Sequence, residues 1–331
     1  MYLNKLLSSL IVLNIFKHIA SDCGCQVNRN SECNDVESTH KYSKEFNKKT
    51  SDNNLPPAFD IKNMVMIEGA TFEMGTSKPI FEVDHEGPLR NVTVAAFYLD
   101  KYEVSNQNFK DFVDRSSYVT EAEKFGDSFM LDMFIPNNEL DKYKDVRAVQ
   151  APWWVKVDGV NWKHPEGPKS SVEDKWNHPV AHVSWNDAVE YCKYFGKRLP
   201  TEAEWEMACR GGLRQKLYPW GNKLNPQNKH WTNIWQGSFP NENTAEDGFI
   251  STAPVDHYPP NKFNLYNMAG NVWEWTQDTW LKNDNEKVKK GGSYMCHESY
   301  CWRYRCAARS QNTKDSTAGN LGFRCAGDVR M

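Results

Sequence analysis

The 331-residue sequence has no uninterrupted apolar run near the roughly 18 residues that a bilayer span requires, and its mean hydropathy is −0.74. No membrane span is therefore expected. It also lacks a strong charge of either sign: 40 Lys+Arg against 43 Asp+Glu leave a formal net charge of −3. That balance argues against a binder driven by phosphate attraction, so no nucleic-acid partner is expected. None of the nine cysteines forms a Cys-x-x-Cys pair. A thioredoxin-type redox pair is thus disfavoured, and so is a zinc site built from two such halves. No clear internal repeat is present, and the C-terminus, Gly327 to Met331, carries no retention tetrapeptide. Aromatic residues, by contrast, are plentiful at 13%, including 13 Trp, which rules out a mostly disordered chain.

The N-terminus reads as an address. Residues 1–21 combine Lys5, a largely apolar stretch from Leu6 to Phe16, and small residues at Ala20 and Ser21. That is the layout of a secretory signal peptide. Residues 22–58 are polar, hold Cys23, Cys25 and Cys33, and read as a flexible extension. Residues 59–331 have aromatic-rich, Gly-punctuated texture without an evident linker and read as one folded domain. An oxidising destination suits the cysteines and the single glycan acceptor triplet, Asn91-Val92-Thr93.

Within that domain, Met64–Ile67 and Val92–Val94 look like strands. Ser105 caps a predicted helix running to about Arg115, with Phe109, Phe112 and Val113 on its buried stripe. Ser184 starts a second helix, which Gly196 ends. Thr201 and Glu204 form a capping box for a third, which Gly211-Gly212 stops. The remainder is turn-rich, so the fold class is an irregular α+β with little regular structure.

The most informative stretch carries Cys296, Cys301 and Cys306, with Cys325 further on. Residues five apart fall on opposite faces of a strand and on different sides of a helix, so a loop must bring their sulfurs together. Such a loop suits a labile disulfide or a soft, low-coordinate metal such as copper(I). Ordinary structural bridges are the plainer alternative.

Lys290-Gly291-Gly292-Ser293-Tyr294-Met295-Cys296, with Ser299-Tyr300-Cys301, closely resembles the formylglycine-generating enzymes, the sulfatase-modifying factors. The likeness continues through Arg303 to Thr313 and Asn320-Leu321-Gly322-Phe323-Arg324-Cys325. Upstream it includes Glu121 to Ser128, His182 to Val189, and Gly196 to Glu206. It implies a C-type-lectin-like fold. It also implies a copper-dependent oxidase that converts the cysteine of a Cys-x-Pro-x-Arg motif in newly made, unfolded sulfatases to Cα-formylglycine. The reaction would use oxygen and a thiol reductant.

Carried over position by position, the resemblance implies copper(I) at Cys296 and Cys301 and disulfides Cys209–Cys306 and Cys192–Cys325. It places Ser293 in the active site, with Trp273 and Asn320 lining the same cleft. Asp127, Ser128 and Trp154 would hold the client peptide, and His297 would orient a ligand or donate a hydrogen bond. Each has a plainer reading, as a turn serine, a core Trp or a loop polar residue. Glu298 departs from the basic residue that often follows that His in the family.

Two oxygen-rich segments suit calcium only weakly by spacing, since neither is an EF-hand. The resemblance implies one Ca2+ at Asn233, Ile234, Asp247 and Phe249 and another at Asn267, Gly270, Val272 and Glu274. Cys23 and Cys25 resemble a family pair implied in thiol-dependent retention by partners in the endoplasmic reticulum. The implied location is therefore the lumen of that compartment, with part secreted. Competing readings are a non-catalytic sulfatase-binding paralogue, a lectin and a disulfide oxidoreductase. No sugar-reading Glu-Pro-Asn or Gln-Pro-Asp triplet lies in the calcium segments, which weighs against the lectin.

Overall fold

A computed structural model describes residues 60–329. The expected signal segment, the 22–58 extension and its Cys23, Cys25 and Cys33 lie outside the described residues.

In chain order the strands are β1 (Met64–Ile67), β2 (Ala70–Met74), β3 (Arg90–Val94), β4 (Phe97–Asp100), β5 (Asp127–Leu131), β6 (Arg147–Ala148), β7 (Ala151–Asp158), β8 (Trp273–Trp280), β9 (Asn283–Lys290), β10 (Arg309–Thr313), β11 (Leu321–Gly322) and β12 (Ala326–Asp328). Among the described residues they form four small sheets rather than one large one. The orders are β1-β4-β12, β2-β3, β5-β7-β6 and β10-β9-β8-β11. Among the described strands, only β11 runs parallel to its neighbour, pairing Leu321 with Trp273. The irregular α+β architecture expected from the sequence is thus the one observed.

Helices α1 (Asn106–Ser116), α2 (Glu121–Phe125), α3 (Trp185–Tyr194) and α4 (Glu202–Arg210) begin at side-chain caps. Ser105, Thr120, Ser184 and Thr201 each accept a backbone N–H three residues on, which satisfies a donor that the first turn would leave orphaned. The short α2 and the β8–β9 hairpin are elements that local pattern did not predict.

Apolar burial joins these pieces. Phe109 and Phe112 of α1 are fully buried and pack against Tyr191 of α3, with ring centroids 5.8 and 5.3 Å apart. The same cluster contains Trp154, Trp273, Cys296 and Cys301, so the main core extends directly under the cysteine loop. Two disulfides then fasten the helices to the C-terminal third. Cys192 of α3 is bonded to Cys325, and Cys209 of α4 to Cys306. These are the pairings that the resemblance implies.

Candidate active site

The cysteine loop leaves β9 through two glycines in the left-handed region, Gly291 (φ 94°) and Gly292 (φ 71°). Gly292 is required for space as well. A Cβ there would lie 2.8 Å from the Tyr304 backbone nitrogen, on the returning leg of the same loop. Beneath the turn, Lys290 is fully buried and pairs with Glu206 at 3.1 Å and Glu202 at 3.5 Å, anchoring the end of β9 to α4. Burial works against the Glu206 carboxylate, but the charges of Lys290 and Arg210 outweigh it and hold its pKa below the ordinary value.

Beyond the glycines the loop folds on itself. The Cys296 N–H donates to Ser293 O at 2.9 Å, and the Cys301 N–H to His297 O at 2.8 Å. These tight turns bring the Cys296 and Cys301 sulfurs to 2.6 Å, both at zero exposure. The returning leg is pinned from outside. Arg303 Nε donates to Asp84 at 2.6 Å, and Arg305 makes a two-pronged contact with Glu86.

Ser293 is fully buried, with its Oγ 4.0 Å from Cys296 Sγ. Asn320 Nδ2 donates to that oxygen at 2.9 Å, and the Met295 N–H reaches it at 3.4 Å. Trp273 adjoins Asn320 through its backbone, N–H to O at 2.8 Å, while Lys289 Nζ stands 4.8 Å from the Trp273 ring centroid. Cys296, Cys301, Ser293, Asn320 and Trp273 are therefore brought together.

The other expected site residues sit around this centre. Trp154 is 1% exposed, opposite Leu131 in the β5–β7 pair, and belongs to the same apolar cluster as the two cysteines. Ser128 is fully buried, with its Oγ near His182 and Thr317. Asp127 opens β5 and is half-buried. His297 lies on the loop, but its Nδ1 accepts from the Ser299 N–H at 3.2 Å, so that nitrogen faces its own turn. Local pattern gave no role to Lys289, Asp84 or Thr317, all of which meet the site through residues distant in sequence.

Two buried soft sulfurs converging on one point fit copper(I) by donor type.

The calcium segments fit unequally. In the first, the Asn233 amide oxygen is buried with no hydrogen-bond partner, and burial raises the Asp247 carboxyl above its ordinary pKa although it accepts from the Ile234 and Phe249 N–H groups and from Gln236 Nε2. A cation would relieve both costs. Gly270, at φ 74°, is required by the close approach of these segments, since a Cβ would meet Asn233 O at 2.4 Å. In the second segment the Asn267 amide oxygen is likewise buried and unpartnered. The Glu274 carboxylate, however, is taken by Arg324 and Trp205 at 2.7 Å each. Among the described residues no group of three or more His, Cys, Asp or Glu could hold a metal ion, so these sites depend on amide and backbone oxygens.

With this geometry in hand, comparison with known proteins is specific. Residues 50–329 match the family described as sulfatase-modifying factor enzyme 1-like domain. The chain is 52% identical over 325 residues to the formylglycine-generating enzyme of Mus musculus, covering 94% of this chain and 87% of that one. It is 46% identical over 268 residues to the inactive C-alpha-formylglycine-generating enzyme 2 of Bos taurus, covering 80% and 87%. PvdO from Pseudomonas aeruginosa shares the fold at a TM-score of 0.58 and 22% identity, covering 80% of this chain and 94% of that structure.

Proposed function

This chain belongs to the sulfatase-modifying factor family, and on that premise we propose that it is an active, copper-dependent formylglycine-generating enzyme. Its client would be the cysteine of a Cys-x-Pro-x-Arg segment in an unfolded sulfatase, oxidised to Cα-formylglycine with oxygen and a thiol reductant. The observation that carries this reading is the convergence of the Cys296 and Cys301 sulfurs beside Ser293.

Copper(I), bound by Cys296 and Cys301, would supply the oxygen chemistry. The chain's own groups define the surroundings. Burial of the sulfur pair keeps bulk water from it. Asn320 holds the Ser293 oxygen beside Cys296, where its hydroxyl can donate to a sulfur or to an oxygen species. Half-buried Asp127 gives a carboxylate for the client arginine, and Trp154, 1% exposed, would back the seat of the client proline from the core. Calcium at the Asn233–Asp247 segment would brace the loops behind the site.

The compartment reading is of a piece with this. The 1–21 signal and retention through Cys23 and Cys25 would place the enzyme in the lumen of the endoplasmic reticulum, with part secreted. Asn91 is exposed on β3, where a glycan can be carried.

The alternative is a non-catalytic, sulfatase-binding paralogue, as the inactive relatives illustrate. The paired buried sulfurs weigh against it. Incubation of the purified protein with copper(I), a thiol and a Cys-x-Pro-x-Arg peptide should yield an aldehyde, seen by mass spectrometry. Cys296→Ser and Cys301→Ser should each abolish it. Aldehyde formation by the double variant would sink the assignment of the chemistry to Cys296 and Cys301, and none by the wild type would sink the enzymatic reading.

A further inference from the structure

His182 lies 54 residues from Ser128 in sequence but shares a hydrogen bond with it. It is fully buried, and its backbone φ of 59° lies in the left-handed region that branched or bulky residues rarely adopt. Three separate segments meet on it. Its backbone N–H donates to Ala318 O at 3.0 Å. Its ring Nε2 is 2.9 Å from Pro165 O, and Nδ1 is 2.8 Å from Ser128 Oγ.

These contacts fix the ring's protonation. A carbonyl oxygen only accepts, so Nε2 carries the proton. Burial pushes the imidazole pKa down to about 4, which keeps the ring neutral. Nδ1 is then an acceptor, and the single Ser128 hydroxyl proton is shared between it and Thr317 Oγ1, toward which Ser128 also points. Thr317 Oγ1 stands 2.7 Å from the same Ser128 oxygen. The backbone of Gly319 packs against the ring, where a Cβ would lie 3.2 Å from Nε2.

The two ends of this arrangement lead to the site. One residue before Ser128, Asp127 opens β5. One residue after Gly319, Asn320 donates to Ser293 Oγ. The Gly319 N–H donates to Phe129 O at 3.0 Å, so the two segments are also joined directly.

We infer that His182 is a positioning residue: neutral and protonated at Nε2, it locks the start of β5 to the 317–320 segment and so holds the peptide seat in register with Ser293 and the sulfur pair. This rests on the reading of the site as one that binds a client peptide. His182 acts through its contacts to Ser128, Pro165 and Ala318.

The test uses a Ser-x-Pro-x-Arg peptide, which binds without reacting, and fluorescence anisotropy on the full chain. His182→Phe keeps a ring and loses both nitrogens. It should weaken binding about tenfold, the cost of a lost buried hydrogen bond. His182→Asn, whose amide oxygen can accept from Ser128, should recover most of that loss. Ser128→Ala should weaken binding similarly, and the double variant Ser128→Ala/His182→Phe should be no weaker than Ser128→Ala alone. Unchanged affinity in His182→Phe, or losses that multiply in the double variant, would overturn the inference. Nitrogen-15 NMR of the wild-type imidazole gives an arm that needs no variant to fold. A neutral Nε2–H tautomer from pH 7 to about pH 5 is expected, and an Nδ1–H tautomer or an imidazolium would overturn it. A wild type that binds the peptide yet makes no aldehyde removes the enzymatic reading and leaves the His182 assignment standing. A wild type that binds no peptide overturns both.

Discussion

Asn320 donates its side-chain N–H to Ser293 Oγ at 2.9 Å, and that oxygen stands 4.0 Å from Cys296 Sγ. The amide lies 27 residues beyond the serine, between β10 and β11. A hydroxyl that accepts from Asn320 keeps its own proton available to the sulfur side, so this one bond aims the Ser293 O–H at the cysteine pair.

Asn320→Ala removes that donor inside a buried site. It should cost about 1–3 kcal/mol of stability and lower aldehyde turnover by about tenfold to a hundredfold. Denaturant unfolding and single-turnover mass spectrometry check the two effects separately. Full activity in the variant would show that Ser293 is aimed by something else.

The Cys192–Cys325 disulfide closes a sequence separation of 133 residues, and Cys209–Cys306 one of 97. Cross-links of that reach restrict the unfolded chain strongly. Replacing either pair by serines should lower unfolding free energy by about 4–5 kcal/mol in the chain-entropy picture. A loss well under about 1 kcal/mol would mean that the unfolded chain is already compact.

Glu121 gives a pH signature. Burial, and then the neighbouring Asp187 charge, raise its carboxyl from 4.5 to about 7. The folded state thus holds a proton that the unfolded state releases. Stability is therefore fullest below the unfolded value and declines as pH rises from 4.5 through about 7. Glu121→Gln keeps an acceptor for Asn186 and removes the titration. It should be more stable than wild type by about 3 kcal/mol at pH 8, with the gap closing toward pH 4.5. Melting curves across that range decide it, and a constant gap would contradict the assignment.

Chelation tests the Asn233–Asp247 segment. With calcium at about a hundredfold excess over its dissociation constant, binding adds about 2.7 kcal/mol to folding, so EGTA should lower the melting temperature measurably. Asn233→Ala should erase the difference between calcium and EGTA. A melting temperature indifferent to chelation in the wild type would remove calcium from the account.

Helix starts were legible because capping is local. Ser105, Ser184 and Thr201 each accept from a backbone N–H three residues on, and all three predicted helices start at those caps. The second helix stops at Tyr194, slightly short of Gly196, as the chain turns into its left-handed glycine. The β8–β9 hairpin was not legible. Trp273–Thr276 is buried on both faces, so the alternation that announces a half-buried strand is missing. Helix α2 spans only five residues, too short for a periodic signal. His182 was visible as part of a motif but not as a junction, because its partners lie at Ser128, Pro165 and Ala318.

The sequence by itself determined the caps at Ser105, Ser184 and Thr201 and the family, since these are properties of neighbouring residues or of a long shared motif. The tertiary structure alone decided that Ser128 meets His182, that Asn320 meets Ser293, and that Asp84 and Glu86 grip the returning cysteine leg. Those contacts join segments up to 219 residues apart, and no local preference encodes them. They are set by burial, which leaves each polar group only the partners that the packed core brings within reach.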